Sequence, residues 1–332
     1  LDNIATTKKS AIDQTADATQ EEKEAAKGLV DDALRAAKEQ IDQVTSNSQV
    51  DDAVTQGTTN INEVVVVVIK KNNARQTIDD TAPTKKESLQ QTPDATQEEI
   101  DVAKAKVDVA VNDAKANIIS ANINGEVDTA SNNGVDTINA IQVEVAKKAQ
   151  ARKAIDDAAT AKKALIDQTA DATQEEKEAA KQKVDAAVTE AKANISAAVN
   201  NNNVDTASTT GVNNINAVTI EVVKKAQARK AIDDAATAKK ATIDQTPDAT
   251  QEEKEAAKQK VDQAVTEAKG NIDRATANGE VDTANNNGTS AIDTVTVDVV
   301  KKAQARKAID DAAIAKKATI DQTPDATQEE KE

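Results

Sequence analysis

Apolar residues recur at alternating intervals of four and three residues in four separate segments of the chain. The four sets are Val30, Leu34, Ala37, Ile41 and Val44; Val107, Val111, Ala114, Ile118 and Ala121; Val184, Val188, Ala191, Ile195 and Ala198; and Val261, Val265, Ala268, Ile272 and Ala275. This spacing places the side chains on one narrow face of an α-helix. It predicts a helix, called helix A, that runs from about Gln20 to Thr45 in the first copy.

A shorter helix B is predicted after each helix A, following a turn rich in asparagine such as residues 200–203. One face of helix B in the third copy carries Val204, Ala207, Gly211, Ile215 and Val218. The glycine returns in every copy, at Gly57, Gly134, Gly211 and Gly288. Glycine inside a helix costs about 1 kcal/mol relative to alanine. Its return therefore indicates either a close approach between helix backbones or a break in helix B.

A third helix, helix C, is predicted from about Lys224 to Asp244 in the third copy. Its inner face carries Ala228, Ile232, Ala235, Ala236 and Ile243. Lys225 and Lys239 lie close to this face, so we expect their aliphatic stems to cover apolar surface. Pro83 interrupts helix C of the first copy, where the other copies have Thr160, Thr237 and Ile314. Because proline removes a helical hydrogen bond, we expect a kink or a local restart at Asp80–Pro83.

A β-branched segment joins helix B to helix C in every copy. The four segments are Val64–Ile69, Ile141–Val145, Val218–Val223 and Val295–Val300. Their composition favours a strand, but one short strand per copy has no partner within its copy. We interpret the segment as the connection between helices B and C together with the first turn of helix C, buried at one end of a bundle.

The sequence Ala-Thr-Gln-Glu-Glu marks the start of helix A and returns with a period of 77 residues. Its threonine stands at Thr19, Thr96, Thr173, Thr250 and Thr327, and consecutive numbers differ by 77. Threonine followed three residues later by glutamate forms a capping box, which satisfies backbone N–H groups that the first helical turn leaves unpaired. An unbroken period over the whole chain predicts a tandem array.

The capping threonines set the predicted domain boundaries. These are 1–18 for the tail of a preceding repeat, 19–95, 96–172, 173–249 and 250–326 for four repeats, and 327–332 for a truncated fifth. Leu1 falls within helix C of the repeat, so we expect a fragment of a longer array. The predicted fold is all-α. Helices A, B and C are expected to pack as up-down-up three-helix bundles, strung end to end as an elongated rod because an odd number of helices places the two chain ends at opposite ends of a bundle.

Composition narrows the possible functions. Lys and Arg number 42 against 58 Asp and Glu, which gives a net charge of -16 and argues against binding to nucleic acid or to an anionic membrane surface. The chain has no Cys, His, Met, Trp, Tyr or Phe, so the usual nucleophilic thiol, general base and zinc ligands are missing, as are aromatic stacking platforms. No window approaches the length of a membrane-spanning helix.

The candidate chemical groups are few. Acidic pairs such as Asp233-Asp234 suit a hard cation or acid–base catalysis in principle, but they lie on predicted helices and are interpreted as solvated. The turn Asn278–Asp282 lacks the ligand spacing of a cation loop, and the basic cluster Lys224, Lys225, Arg229 and Lys230 is interpreted as helix ion pairs. We therefore expect no catalytic residue, no cofactor-binding residue and no metal site, and hence no enzyme.

Three motifs of the third copy carry a resemblance to a known family. They are Ala172–Lys177, Val204–Gly211 and Ala231–Lys240, and their order and spacing return across the chain. The chain resembles the tandem helical repeat of unknown function found in staphylococcal cell-wall surface proteins such as FmtB, SasC and Ebh. The first copy departs most, at Gln76–Pro83. The resemblance implies a Gram-positive surface protein, extracellular and anchored to the cell wall through a region outside this chain, that is linked to adhesion, biofilm formation and, in one case, methicillin resistance.

Two functions remain open at this stage. The first is a non-enzymatic stalk that holds another domain away from the cell wall. The second is a repeat array that itself binds host matrix or serum proteins, or neighbouring cells, weakly and multivalently. The expected partners are a host extracellular or serum protein reached through the parent protein, with no nucleic acid and no membrane insertion, and the chain is expected to be a monomeric rod without a cofactor.

Overall fold

The computed structural model describes all 332 residues and consists of fourteen α-helices joined by short connections, without strands. The helices are α1 (Asp2–Asp13), α2 (Gln20–Gln43), α3 (Asn47–Glu63), α4 (Lys70–Gln90), α5 (Gln97–Ser120), α6 (Asn124–Ala140), α7 (Lys147–Asp167), α8 (Gln174–Ala197), α9 (Asn201–Ala217), α10 (Lys224–Asp244), α11 (Gln251–Arg274), α12 (Asn278–Asp293), α13 (Lys301–Asp321) and α14 (Gln328–Lys331). The prediction of an all-α tandem array is confirmed.

The chain divides into two compact units, which are described separately. The first comprises residues 1–153 and 193–208, and the second residues 154–192 and 209–332. In the first unit, α1, α2 and α3 pack as one antiparallel bundle and α4, α5 and α6 as another. In the second unit, α10, α11 and α12 form the same arrangement. The predicted up-down-up bundle is therefore present in both units.

The cores of these bundles are built from the predicted apolar faces. In the bundle of α4, α5 and α6, Ile78, Val107, Ile118, Val127 and Ile138 are fully buried among small alanines. The equivalent core of α10, α11 and α12 contains Ile232, Val261, Ile272, Val281 and Ile292. Because alanine, valine and isoleucine supply nearly all of this core, the helices approach closely but bury little area per residue.

The grouping of the helices differs from the sequence-based expectation that helices A, B and C of one repeat pack together. Helix α4, which is helix C of the first repeat, packs with α5 and α6 of the next repeat, so each bundle begins with helix C. The connection after helix B carries the chain past the end of its own bundle, and helix C starts in the following one. A period of 77 residues can be cut at any phase, so the boundaries at the capping threonines stay a prediction.

The β-branched segment is an extended connection, and the predicted first turn of helix C within it is wrong. Residues 64–69 contain no helical turn, and α4 begins at Lys70. Val64 and Val66 pack against the core of α1, α2 and α3, while Val65 and Val67 are exposed. Helix α3 has 17 residues and α2 has 24. The extended chain, which rises about twice as far per residue as a helix, covers the length that the shorter helix leaves open.

The recurring glycine of helix B lies where two helix backbones approach each other closely. Of the two interpretations offered by the sequence, close approach is confirmed and a break in helix B is wrong. A Cβ atom built on Gly134 would lie 2.6 Å from Cβ of Ala114 and 2.8 Å from Cδ1 of Ile78. Gly57, Gly211 and Gly288 meet Ala37, Ala191 and Ala268 at 2.5 Å in the same way. Helix B runs unbroken through each glycine.

Pro83 does not restart its helix. Helix α4 is continuous from Lys70 to Gln90 with Pro83 in its interior, so the expected local restart is wrong. Packing of α4 on α5 and α6 holds the helix together here: Ala82, which precedes the proline, is buried in the core. Tertiary packing thus overrides the local preference of proline.

Candidate functional site

The acidic pair Asp233-Asp234 and Lys224, Arg229 and Lys230 of the basic cluster form ion pairs on the bundle surfaces. Asp233 pairs with Lys269 at 2.7 Å and Asp234 with Lys230 at 2.6 Å. Lys224 pairs with Asp282 at 2.7 Å, within the turn region Asn278–Asp282, where α12 begins. No group of three or more His, Cys, Asp or Glu residues is arranged to hold a metal ion. These side chains therefore pair with one another within and between helices.

The densest polar network lies where each capping box meets the bundle that follows it. We call these regions junctions. The first junction comprises residues 17–22, 69–75 and 119–124; the second comprises 94–99, 146–152 and 196–201; the third comprises 171–176, 223–229 and 273–278. A fourth capping box, at residues 248–253, meets α13 through residues 300–306.

The glutamate of the capping box caps the N-termini of two helices. One carboxylate oxygen of Glu22 accepts from the backbone N–H of Thr19 at 2.9 Å and completes the box of α2. The other oxygen accepts from the N–H groups of Ile69 and Lys70, both at 2.8 Å, at the start of α4. Helix α4 has no side-chain cap of its own. Glu22 therefore satisfies donors in two successive bundles.

The glutamate before it caps a third helix. Both carboxylate oxygens of Glu21 accept from the N–H of Asn124 at 3.1 Å, at the first residue of α6. Helix α6 likewise lacks a side-chain cap, because Ile123 stands at its N-cap position. The N–H of Gln20 donates to the carbonyl of Asn122 at 2.9 Å. The motif Gln-Glu-Glu thus binds the following bundle through backbone groups, which do not depend on the partner's side chains.

A lysine of helix C adds a contact within the following bundle. Nζ of Lys71 donates to the carbonyl of Ile119 at 2.7 Å, in the last turn of α5. Lys71 is buried, and its charge lies at the negative end of the helix macrodipole. Lys148 and Lys225 make the equivalent bonds to the carbonyls of Ser196 and Asp273 at 2.9 and 2.8 Å. Lys225, predicted to lie beside the inner face, is thus buried with its ammonium group on a carbonyl.

An aspartate in a left-handed backbone conformation completes each junction. Asp17, Asp94, Asp171, Asp248 and Asp325 have φ values between 63° and 65°. Asp94 forms two hydrogen bonds with Arg152, at 2.7 and 2.8 Å, and Asp171 forms two with Arg229, at 3.0 and 2.8 Å. Asp17 pairs with Arg75 at 2.9 Å. The tight turn before helix A is therefore tied to helix C.

These contacts keep the junction carboxylates ionised. Burial raises the pKa of the Glu22, Glu99 and Glu176 carboxyls, but three backbone hydrogen bonds to each outweigh it and hold the pKa below its ordinary value. The equivalent bonds from Thr250, Lys301 and Val300 lower the pKa of Glu253 to about 2. Hydrogen bonds from arginine lower the pKa of Asp94 and Asp171. At neutral pH every junction carries the charges that its geometry requires.

The repeat boundaries found by comparison with known proteins coincide with the boundaries between the helix bundles. The sequence pattern of the Domain of Unknown Function DUF1542 matches residues 1–69, 70–146, 147–223, 224–300 and 301–332. The chain belongs to the DUF1542 family. The matches that begin at residues 70 and 224 start with α4 and α10, the first helices of their bundles.

Several curated proteins that are similar to these DUF1542 repeats come from Staphylococcus aureus. The chain is 26% identical over 315 residues to the extracellular matrix-binding protein ebh of Staphylococcus aureus strain MW2, covering 92% of this chain and 3% of that protein. It is 26% identical over 316 residues to the extracellular matrix-binding protein EbhA of strain Mu3, covering 92% and 5%. The chain thus spans a small fraction of the relatives it matches. No solved structure matches it.

The DUF1542 capping box was visible in the sequence, but its second role was not. Glu22 meets Lys70 across 48 residues, and Glu21 meets Asn124 across 103. A usable signal existed, because the glutamate returns at Glu98 and Glu175 and the asparagine at Asn201 and Asn278, always at the same separation.

None of the helices is both long and apolar enough to cross a bilayer.

Proposed function

We propose that this chain is a structural spacer: a stalk of DUF1542 repeats in a Gram-positive surface protein, extracellular and held to the cell wall by another region of that protein. The observation that carries the proposal is the junction. Each complete junction joins consecutive bundles through two glutamates that cap helices of the following bundle and through an aspartate–arginine pair. A lysine on a helix C-terminus adds a bond within the following bundle. Connections of this kind restrict bending between neighbours, and a spacer requires that restriction.

The geometry of the junction supports a spacer rather than a compact assembly. In the first unit, the N-terminus of α2 meets the N-termini of α4 and α6 and the residue Asn122 that follows α5, so the contacts join the end of one bundle to the end of the next. Most of the bonds use backbone N–H and C=O groups. Such contacts are repeated in any number of copies, and the resulting length grows with copy number.

Small-angle X-ray scattering of the chain at low concentration tests the proposal. Each bundle contributes roughly 40 Å, so a rod on the order of 160–190 Å is expected. A particle shorter than roughly 90 Å would contradict the end-to-end arrangement. The double variant Glu99→Ala, Arg152→Ala removes contacts of one junction and is expected to shorten the average dimension by allowing bending. The control Glu178→Ala changes an exposed glutamate outside the junctions and should leave the dimension unchanged.

A second function is supported by the descriptions of the relatives as extracellular matrix-binding proteins. In this alternative the repeats themselves hold host matrix or serum proteins weakly, and several copies acting together raise the overall affinity. Immobilised chain incubated with matrix and serum proteins distinguishes the two. Retention of a protein at micromolar concentration favours the binding array. Absence of retention, together with unchanged adhesion when the repeats are replaced by an unrelated spacer of equal length, favours the stalk.

A further inference from the structure

Asparagine followed by glycine occurs in two different surroundings within helix B. Asn124-Gly125 and Asn278-Gly279 are the first two residues of α6 and α12. Asn133-Gly134 and Asn287-Gly288 lie in the interior of the same helices, where the glycine is buried against neighbouring helices. Asparagine before glycine readily loses its side-chain amide, because glycine has no Cβ atom to hinder ring closure. A chemically reactive pair is therefore present at the start and in the middle of each of these two helices.

The reaction is an attack by the backbone nitrogen of the glycine on Cγ of the asparagine side chain. A bond forms between this nitrogen and Cγ, the bond from Cγ to Nδ2 breaks, and the proton of the glycine N–H leaves with Nδ2 as ammonia. The product is a succinimide ring. Water then opens the ring at one of its two carbonyls and yields either aspartate or isoaspartate, in which the side-chain methylene has become part of the backbone. Water is the only co-reactant.

The backbone nitrogens of Gly125 and Gly279 are accessible for this attack. The first N–H groups of a helix have no partner within the helix, and neither glycine N–H donates a hydrogen bond elsewhere in the chain. A Cβ atom built on either glycine would have nothing within 4 Å, so the surrounding space is open. Gly134, by contrast, lies in the interior of α6, where N–H groups bond to the preceding turn and where Ala114 would lie 2.6 Å from an added Cβ atom.

The side chain of Asn278 accepts a hydrogen bond that activates its amide. Oδ1 of Asn278 accepts from the hydroxyl of Thr173 at 2.7 Å. Attack on Cγ transfers negative charge to this oxygen, and a hydroxyl that donates to it stabilises that charge. The same hydroxyl oxygen accepts from the N–H of Glu176, so Thr173 keeps its capping role. The third junction thus places a hydrogen-bond donor on the oxygen that becomes charged.

We propose that Asn124 and Asn278 are deamidation sites and that the junctions control the rate of the reaction. A helical backbone holds the asparagine side chain away from the following nitrogen, so the first turn of helix B has to open before the ring can close. The N–H of Asn124 donates to Glu21 at 3.1 Å and that of Asn278 to Glu175 at 2.9 Å, and both bonds hold this turn closed. The end of a helix opens at a lower free-energy cost than its interior.

Deamidation is expected to weaken the junction in which it occurs. All four copies of helix B begin with an asparagine: Asn47, Asn124, Asn201 and Asn278. A carboxylate at residue 124 would lie beside the carboxylate of Glu21, and neighbouring like charges repel each other. Isoaspartate would lengthen the backbone and displace the N–H that Glu21 accepts. The first and third junctions should therefore loosen as the chain ages, whereas the second, where Asn201 is followed by Asn202, should keep its contacts. This inference holds for a stalk and for a binding array alike.

Peptide mass spectrometry of the chain stored at mildly alkaline pH tests the sites, because replacement of NH2 by OH changes the mass. Asn124 and Asn278 should convert about ten-fold faster than Asn133 and Asn287 in the folded chain, and all four should convert at similar rates in urea. Gly125→Ala should slow conversion of Asn124 and leave that of Asn278 unchanged as an internal control. No conversion of Asn124 and Asn278 in the folded chain, or equal rates at the interior pairs, would overturn the proposal.

Two further variants test the link between the reaction and the junction. Glu21→Ala removes the cap of α6 and should accelerate conversion of Asn124 several-fold, with no change at the third junction. Asn124→Asp reproduces one product and should speed hydrogen exchange of the Gln20 amide, which donates to the carbonyl of Asn122 across the junction. The control Asn133→Asp adds the same charge to an exposed position of α6 and should leave that amide protected. An unchanged rate in Glu21→Ala, or equal effects of the two aspartate variants, would show that junction and reaction are independent.

Discussion

The carboxylate of Glu176 accepts a hydrogen bond from the backbone N–H of Lys224 at 2.8 Å, although 48 residues separate them in the chain. The same oxygen accepts from the N–H of Val223, and the other oxygen closes the capping box of Thr173. Lys224 is the first residue of α10, whose N-cap residue Val223 supplies no side-chain acceptor. The start of one helix thus depends on a side chain at the start of another.

Removal of this carboxylate should destabilise both helix starts. We expect Glu176→Ala to cost about 2 kcal/mol, since a lost capping box costs about 1 kcal/mol and two further backbone donors lose their acceptor. Hydrogen exchange should show faster exchange of the Val223 and Lys224 amides as well as those in the first turn of α8. The exposed neighbour Glu178 provides the control, and Glu178→Ala should leave the Lys224 amide protected. Unchanged protection in Glu176→Ala would contradict the double role.

The junctions should lose stability at acidic pH rather than at neutral or alkaline pH. The pKa values of Glu22, Glu99, Glu176 and Glu253 are lower in the folded chain than their ordinary value near 4.5. A carboxyl with a lowered folded pKa stabilises the fold above its unfolded pKa and loses that contribution as pH falls through the folded value. Junction stability should therefore be constant from pH 7 to about 5 and decline between about pH 4.5 and 2.

Far-UV circular dichroism during heating at a series of pH values measures this effect. The chain has no Trp, Tyr or Phe, so intrinsic fluorescence is not available as a probe. A variant in which all four glutamates are changed to glutamine should start with a lower melting temperature and show a flatter decline below pH 4.5. If it declines as steeply as the unchanged chain, other carboxyls cause the acid sensitivity.

Substitutions at one position in the turn before helix A can distinguish the contribution of backbone strain from that of the ion pair. Asp171 has a φ of 65° and pairs with Arg229. Asp171→Gly removes the pair but suits the left-handed conformation, whereas Asp171→Ala removes the pair and adds about 1 kcal/mol of backbone strain. Thermal unfolding should rank the stabilities as unchanged chain, then glycine variant, then alanine variant. An alanine variant as stable as the glycine variant would show that the conformation relaxes.

The sequence predicted the helices well because each one carries a repeated local signal. Helix C of the third copy was predicted from Lys224 to Asp244 and is found there, and the capping threonine places the start of α2 at Gln20. Val107 and its equivalents were identified as core residues because a periodicity of 3.6 residues is a property of a single helix. These features require no knowledge of which helices meet.

The grouping of helices and the junctions could not be predicted in the same way. A cyclic period does not indicate whether helix C packs with the helices before it or after it, since the same order is repeated without end. The decisive feature is the extended segment 64–69, whose β-branched residues fit a strand, a helix turn or a connection equally well. The second role of Glu22 depends on that grouping, because Lys70 comes near it only when α4 begins the next bundle.

The glycine of helix B allows a test in which one substitution has opposite effects at two sites. Gly134→Ala places a methyl group 2.6 Å from Cβ of Ala114 and should destabilise its bundle by about 1–3 kcal/mol despite the better helix propensity of alanine. Gly28 lies within α2 with nothing within 4 Å of the added atom. Gly28→Ala should therefore stabilise by up to about 1 kcal/mol. Guanidinium unfolding followed by circular dichroism measures both, and the same sign for both variants would contradict the packing.

Pro83 allows a test of how far tertiary packing compensates for a helix-breaking residue. It lies inside the continuous helix α4, and the equivalent places in α7 and α10 hold Thr160 and Thr237. Pro83→Thr restores a backbone N–H that can bond to the carbonyl of Asp79 and removes the clash between that carbonyl and the proline ring. We expect the variant to stabilise α4 by up to about 3 kcal/mol.

Hydrogen exchange of the α4 amides is the suitable measurement for Pro83→Thr, because an array of bundles does not unfold in a single step and exchange reports the stability of each helix separately. The reverse change, Thr160→Pro in α7, serves as the matched comparison and should accelerate exchange around that site by a similar factor. Pro83→Thr could leave the exchange rates of the α4 amides unchanged while Thr160→Pro accelerates exchange in α7. That result would show that the packing of α5 and α6 around α4 has already adapted to the proline and compensates for its destabilising effect.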